Sequence, residues 1–223
     1  MLKRALTTSV LFLLFVRVFT QDLDLGFLPT FNLNVKLSEN WRLNTKLESR
    51  FQDKLSHALT DLAVVASREI GYNNKVAFGT MLRFRNMQTA QRLIQQYTFV
   101  RKYDAFRVSH RLASDQTWAK EEPLEVRVRY RVTAQIPLNG QSVNPREMYL
   151  KVGNEYLGSI ELQDVDLEIR VTPTLGYEFT DQNKIEVGLD YRLSSILQSP
   201  ARQRMWYSVN WFLALDRTKK EKT

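Results

Sequence analysis

From residue 23 to residue 215, apolar and polar side chains alternate along the chain. In LEVRVRYRVTAQIPL, residues 124–138, Glu125, Arg127, Arg129 and Arg131 take every second place, and Val126, Val128, Tyr130, Val132, Ala134 and Ile136 fill the gaps. A period of two marks a β-strand, whose successive side chains point to opposite faces. In residues 23–37 the odd positions are Leu, Leu, Phe, Pro, Phe, Leu, Val and Leu, while the even ones are polar or glycine except Leu28. In 41–52, Trp41, Leu43, Leu47 and Phe51 share one face, and Arg42, Lys46, Glu48 and Arg50 share the other. The same pattern predicts strands near 59–71, 75–86, 91–102, 105–118, 124–138, 146–157, 165–179, 184–194 and 204–215. Segment 91–102 is the least regular, because Leu93, Tyr97 and Phe99 fall on one face but Ile94 and Val100 on the other. Turn-formers separate the strands: Ser38-Glu39-Asn40, Gly71-Tyr72-Asn73-Asn74, Tyr103-Asp104, Asn139-Gly140 and Asp181-Gln182-Asn183. Pro29 and Pro173 fall inside strands, where each removes a ladder donor, and they are expected to mark bulges or strand ends.

About eleven strands of roughly 10–15 residues result, against ~5–6 residues in ordinary soluble strands and ~9–11 for a strand tilted across a bilayer. Length therefore separates two folds that share the alternation. In a soluble sandwich the apolar face is the core; in a transmembrane barrel it meets lipid and the charged face lines the lumen. A bilayer offers the backbone no water, so only a closed sheet crosses it as strands. Tyrosine and tryptophan at strand ends and turns, namely Trp41, Tyr72, Tyr103 and Trp118, with Trp206, Tyr207 and Trp211 in the last strand, fit a membrane interface. The expected fold is all-β: a single antiparallel transmembrane up-and-down β-barrel over residues 21–215, of about 10–12 strands. Because bacterial single-chain barrels have an even number, twelve is the expected count and ten the runner-up.

The N-terminus points to export. Lys3 and Arg4 precede an apolar run from Ala5 to Val16, broken by Thr7, Thr8 and Ser9, with Val18 and Thr20 ahead of Gln21. This is the layout of a cleaved signal peptide over residues 1–20, with a run too short for a membrane-spanning helix of ~20 residues. A buried N-terminal helix is the alternative, and Arg17 near the cut departs from the pattern. There is no cysteine, which excludes disulfides, thiolate metal sites and a cysteine nucleophile. The charge is +8, from 32 Lys+Arg against 24 Asp+Glu, and it is spread along the chain rather than clustered. Basic residues on an inward face offer nucleic acid no stripe to bind. Residues 216–223, DRTKKEKT, read as a basic tail.

Several pieces carry a resemblance: ESR at Glu48–Arg50, RVRYR at 127–131, YLKVGNEYL ending at Leu157, RVTPTLGYEF at 170–179 and IEVGLDYRL at 185–193. With them the chain resembles the outer-membrane barrels of Bacteroidota grouped as domain-of-unknown-function family 2490. The resemblance covers nearly the whole chain after the signal. It implies a bacterial outer-membrane location and one barrel domain, and it supplies no activity, cofactor or catalytic residue.

The candidate lumen-lining residues are Glu48, Arg50, Arg111, Arg127, Arg129, Arg131, Lys151, Glu155, Arg170, Asp190 and Arg192. A charge in a poorly hydrated bore needs a partner, since leaving it alone costs several kcal/mol. A hairpin turning near Asn139–Asn144 brings Glu155 and Lys151 roughly opposite Arg127–Arg131. One turning near Gln182 brings Glu178 toward Glu186, a like-charge meeting, with Asp190 near Thr172–Thr174. His110, with Ser114 four residues on, is the catalytic candidate for a lipid-modifying enzyme, but no Asp or Asn is fixed to orient it. His57 falls in a predicted loop beside Ser56. No phosphate loop, HExxH or calcium-loop spacing occurs, so no metal or cofactor is expected.

Three functions remain open at this point: a plugged barrel with a structural or partner-docking role, a narrow porin-like channel whose arginines favour anions, and an enzyme acting on lipid. A secreted soluble β-sandwich binding protein is the alternative outside the membrane. The partners implied are outer-membrane lipid, the outer-membrane assembly machinery, and a protein at the loops or tail; no nucleic acid is implied.

Overall fold

The structure, a computed structural model, describes residues 23–198 and 200–218, so the expected signal peptide lies outside the described residues. Eleven strands form in chain order: β1 (Leu23–Lys36), β2 (Trp41–Gln52), β3 (Ser56–Gly71), β4 (Asn74–Arg85), β5 (Gln88–Lys102), β6 (Arg107–Ala119), β7 (Glu125–Pro137), β8 (Met148–Glu161), β9 (Asp164–Thr180), β10 (Asn183–Ser194) and β11 (Arg202–Asp216). They run from 12 to 17 residues. A 3-10 turn, Asp53–Leu55, joins β2 to β3. No helix among the described residues is long and apolar enough to cross a membrane.

Each strand pairs antiparallel with its sequence neighbour, and β1 closes on β11. The count is eleven, where twelve was expected from the even-number habit of bacterial barrels. Strands that alternate in direction leave the first and last of an odd set running the same way. The closing pair is accordingly parallel, in unbroken register from Leu23↔Gln203 to Lys36↔Asp216. Closure leaves no row of unpaired backbone groups. It also sends the start of β1 to one rim and the end of β11 to the other. The first rim carries the connections 53–55, 86–87, 120–124, 162–163 and 195–201. The second carries 37–40, 72–73, 103–106, 138–147 and 181–182.

The hairpins turn where residues accept positive φ. Asn86 (φ 48°) and Met87 (φ 64°) make a two-residue turn with both central residues left-handed, the geometry that matches strand twist. Asn73 (φ 61°) and Leu162 (φ 54°) serve two others. Several strand ends differ from expectation: β5 begins at Gln88 rather than 91, and β8 runs on to Glu161 rather than 157. β3 begins at Ser56, so His57 lies in a strand opposite Phe51 rather than in a loop. β11 runs through Asp216, so the basic tail begins at Arg217.

The least regular segment, 91–102, lies within one unbroken strand, β5, paired along its length with β4 and β6. Its irregularity has a packing cause: Ile94 points inward and joins Ala63 and Met81, flanked by Val65, in a small apolar patch. Leu28, the polar-face exception in β1, is likewise buried inside.

Pro29 and Pro173 do not make bulges. The β1–β2 ladder skips from Phe27↔Phe51 to Thr30↔Glu48, and β9–β10 skips from Gly188↔Thr174 to Tyr191↔Val171, each without a change of register. A missing N–H opens a gap in one ladder. The true register shifts lie at Arg50/Phe51, Glu69/Gly71 and Asn183/Lys184.

The two faces of the sheet are chemically inverted relative to a soluble sandwich. Leu47, Val64, Phe78, Leu112, Val128, Tyr156, Leu175 and Val187 are exposed on the outer wall. Glu48, Asp61, Arg92, Asp115, Arg127, Glu155, Glu186 and Arg192 are buried inside it.

Candidate functional site

The interior charges occupy neighbouring strands at matched heights, because the register brings them there. Arg111↔Arg131, Arg131↔Glu155, Glu155↔Arg170 and Arg170↔Arg192 are successive cross-strand partners from β6 to β10. A ring of like charges would repel, and the carboxylate of Glu155 sits among them to prevent that.

Glu155 is 1% exposed. Arg111 Nη2 donates to its Oε2 at 3.1 Å, and Arg131 Nε donates to the same oxygen. Arg129 and Arg170 approach Oε1 at 3.6 and 3.7 Å. Asp115, 0% exposed, accepts from Arg129 Nη2 at 2.8 Å and Arg127 Nη2 at 3.1 Å. Arg129 therefore links the two carboxylates. The chain continues through Glu125, 3.8 Å from Arg127 and 3.5 Å from Arg92, and ends at the Arg170–Glu168 pair. Buried charges of this kind are tolerated only as members of such a network.

A second group spans β2, β3 and β4. Arg83 holds Asp61 with two bonds of 2.8 Å, and Arg50 stands 3.6 Å from the same carboxylate. Arg50 also donates to Glu48 at 2.7 Å, and Lys46 reaches the other Glu48 oxygen at 2.7 Å. Farther round, Arg192 grips Asp190 on its own strand at 2.6 and 2.9 Å.

A third group closes the second rim. Tyr149 is 0% exposed and donates from its hydroxyl to Glu186 Oε1 at 2.8 Å. Lys151 bonds the other Glu186 oxygen. Lys184 lies 5.9 Å from the centre of the Tyr149 ring and 5.2 Å from that of Phe212. The Tyr149 ring packs over Gly176, where a Cβ would overlap it. That close approach is why glycine stands there.

All eleven sequence candidates thus lie on the interior face, in separate groups rather than one continuous wall. Glu155 and the arginines of β6, β7 and β9 come together. Glu48 joins Arg50, and Asp190 joins Arg192. Lys151 stands apart, with Glu186. The expected meeting of Glu178 with Glu186 does not form. A register shift at Asn183/Lys184 places Lys184 opposite Glu178 and Glu186 opposite Gly176. No like-charge clash needs relief there.

Asp61, Arg83, Arg92, Asp115, Tyr149 and Glu186 belong to these groups but are not among the sequence candidates. Asp61 and Arg83 were findable by folding residues 59–86 about the Tyr72–Asn73 turn, which sets them opposite each other. Arg92 lies in the least regular strand. Tyr149 looks from sequence like any interface aromatic, yet the alternation of β8 sets it on the same face as Lys151 and Glu155.

His110 lies on the outer wall. Its ring stacks on Phe99 at 4.5 Å, and its Nδ1 is 2.8 Å from the Tyr130 hydroxyl. Among the described residues no carboxylate is ion-paired with it, and Ser114 is bonded to Gln116 instead. Among the described residues no set of three His, Cys, Asp or Glu is placed to hold a metal ion.

A family model described as protein of unknown function, DUF2490, matches residues 25–205, which spans β1 into β11. The chain belongs to the DUF2490 family. No curated protein and no solved structure matches it. In this DUF2490 protein the matched span takes in the first two charge clusters and the Tyr149–Glu186 pair of the third.

Proposed function

We propose that the protein is an outer-membrane β-barrel whose bore is plugged by its own ion pairs, and that it serves as a structural or partner-docking component rather than a conduit. The observation that carries this reading is the burial of Glu155, Asp115 and Tyr149 inside the sheet, each hydrogen-bonded to side chains of other strands. A solvent-filled pore would leave such groups wet. The outward apolar wall supports placement in a bilayer, where hydrocarbon and not water is the solvent. In that setting outer-membrane lipid surrounds the wall, the barrel-assembly machinery inserts it, and a protein partner has only the rims and the basic tail to read. The residues before Leu23 would supply export.

Two measurements test the proposal. Membrane fractionation with a heat-modifiability gel should place the chain in the detergent-extracted fraction as a species whose mobility changes on boiling; a freely water-soluble protein refutes the membrane assignment. In planar bilayers the purified protein should give no discrete conductance steps. Stable, anion-preferring steps would refute the plug and favour the narrow channel instead, since arginines outnumber carboxylates in the β5–β9 cluster: Arg92, Arg111, Arg127, Arg129, Arg131 and Arg170 against Asp115, Glu125, Glu155 and Glu168.

A further inference from the structure

The outer wall of the second rim carries a cation, Arg68, with no carboxylate partner among the described residues. Trp41 at the start of β2 and Arg68 near the end of β3 are direct register partners. The guanidinium lies over the indole, 5.6 Å from its centre. Among the described residues no carboxylate comes within 4.0 Å of Arg68. The neighbouring Glu69 is engaged by Arg42. A cavity of about 520 Å³ opens beside them, lined by Asn40, Arg68, Glu69, Ile70 and Gly71. Tyr72, 87% exposed, stands at the adjoining turn.

Below this cavity the same strands present a largely apolar strip, broken by Thr45 and Thr80 on either side of Val64. Leu47 of β2, Leu62 and Val64 of β3, and Val76 and Phe78 of β4 are all exposed on the outer wall. A cavity beside an arginine with no carboxylate partner among the described residues thus sits at the head of a largely apolar track.

We propose that this cavity binds the headgroup of an anionic phospholipid, with the phosphate on Arg68 and the acyl chains laid along the strip formed by β2, β3 and β4. An amphipathic anion matches both halves of the surface. Arg68 offers a planar fork to phosphate oxygens, and the indole holds that fork in place while sitting at the depth tryptophan prefers. A free inorganic anion would use the cation and ignore the apolar track. The proposal rests on the membrane reading above, and it adds a lipid class and a place to it.

The test uses the full chain reconstituted in vesicles of phosphatidylcholine mixed with phosphatidylglycerol, then extracted for native mass spectrometry to count retained lipid. Wild-type protein should retain phosphatidylglycerol in preference to phosphatidylcholine. Arg68→Gln should lower phosphatidylglycerol retention about fivefold, the factor equivalent to ~1 kcal/mol for one cationic side chain at a headgroup. Lys120→Gln, at the opposite rim, should change nothing. Folding of each variant is checked by the mobility change on boiling. If inserted Arg68→Gln retains phosphatidylglycerol as wild type does, the site is wrong while the barrel stands. If inorganic phosphate displaces the lipid, the site is an ion site and the proposal falls. If no version enters vesicles, the membrane reading falls and takes the lipid site with it.

Discussion

Replacing Glu155 by glutamine keeps the side-chain volume and removes one negative charge from the centre of the bore. The structure sets the size of the effect. Arg129 keeps Asp115 as a partner, and Arg170 keeps Glu168. Arg111 and Arg131 have Glu155 as their one carboxylate within 4.0 Å among the described residues. The substitution therefore leaves two guanidinium groups facing each other across a cross-strand pair, Arg111↔Arg131, in a poorly hydrated interior. Removing one member of a buried ion pair costs ~3–5 kcal/mol, because the other charge stays desolvated. Glutamine still accepts one hydrogen bond, so the lower end of that range, about 3 kcal/mol, is expected. Urea unfolding from lipid vesicles, followed by tryptophan fluorescence or by gel mobility, reads the change. A second substitution, Arg131→Gln, made on top of Glu155→Gln should recover part of the loss, since it removes one of the two stranded charges. A loss below about 1 kcal/mol, the size found for solvent-exposed pairs, would mean that water reaches Glu155 and that the plug does not exist.

Four further outcomes follow from the same geometry. The two-bond Arg83–Asp61 pair should show a coupling of about 1–3 kcal/mol in a double-mutant cycle with alanine, measured by the same unfolding assay; additive single mutants would show that the pair contributes nothing beyond packing. Gly176→Ala should push the Tyr149 ring off its seat, weaken its bond to Glu186 and cost ~1–3 kcal/mol, whereas Gly158→Ala, with open space around it, should be near neutral. Val128→Arg, on the outer wall, should cost ~2–4 kcal/mol if that wall faces hydrocarbon and almost nothing if it faces water, so unimpaired vesicle insertion would argue against the membrane assignment. Short epitopes placed before Leu23 and after Thr218 should be accessible from opposite sides of a sealed vesicle, because the closing β1–β11 pair is parallel; protection of both from the same side would mean that the barrel closes differently.

The sequence by itself determined the strands and their faces. Side-chain alternation is a local property of the pleat, so each strand announces its extent and its inward row without knowing its neighbours. That is why β2 and β10 were readable almost to the residue, and why Arg127, Arg129 and Arg131 could be set against Val126, Val128 and Tyr130. The same locality hides the register. A slip of one residue is forbidden because it turns every side chain to the wrong face. A slip of two preserves the pattern, and nothing in the alternation opposes it. Only the folded barrel, with Lys184 opposite Glu178 and Glu186 opposite Gly176, gave Glu186 the partners Lys151 and Tyr149. Strand number was hidden for a related reason. Eleven segments were visible, but whether an odd set can close depends on its first and last members, which are nearly two hundred residues apart. The parallel β1–β11 ladder answers that question through hydrogen bonds no local window contains. Sequence thus fixed which charges must find partners, and closure of the sheet chose the partners.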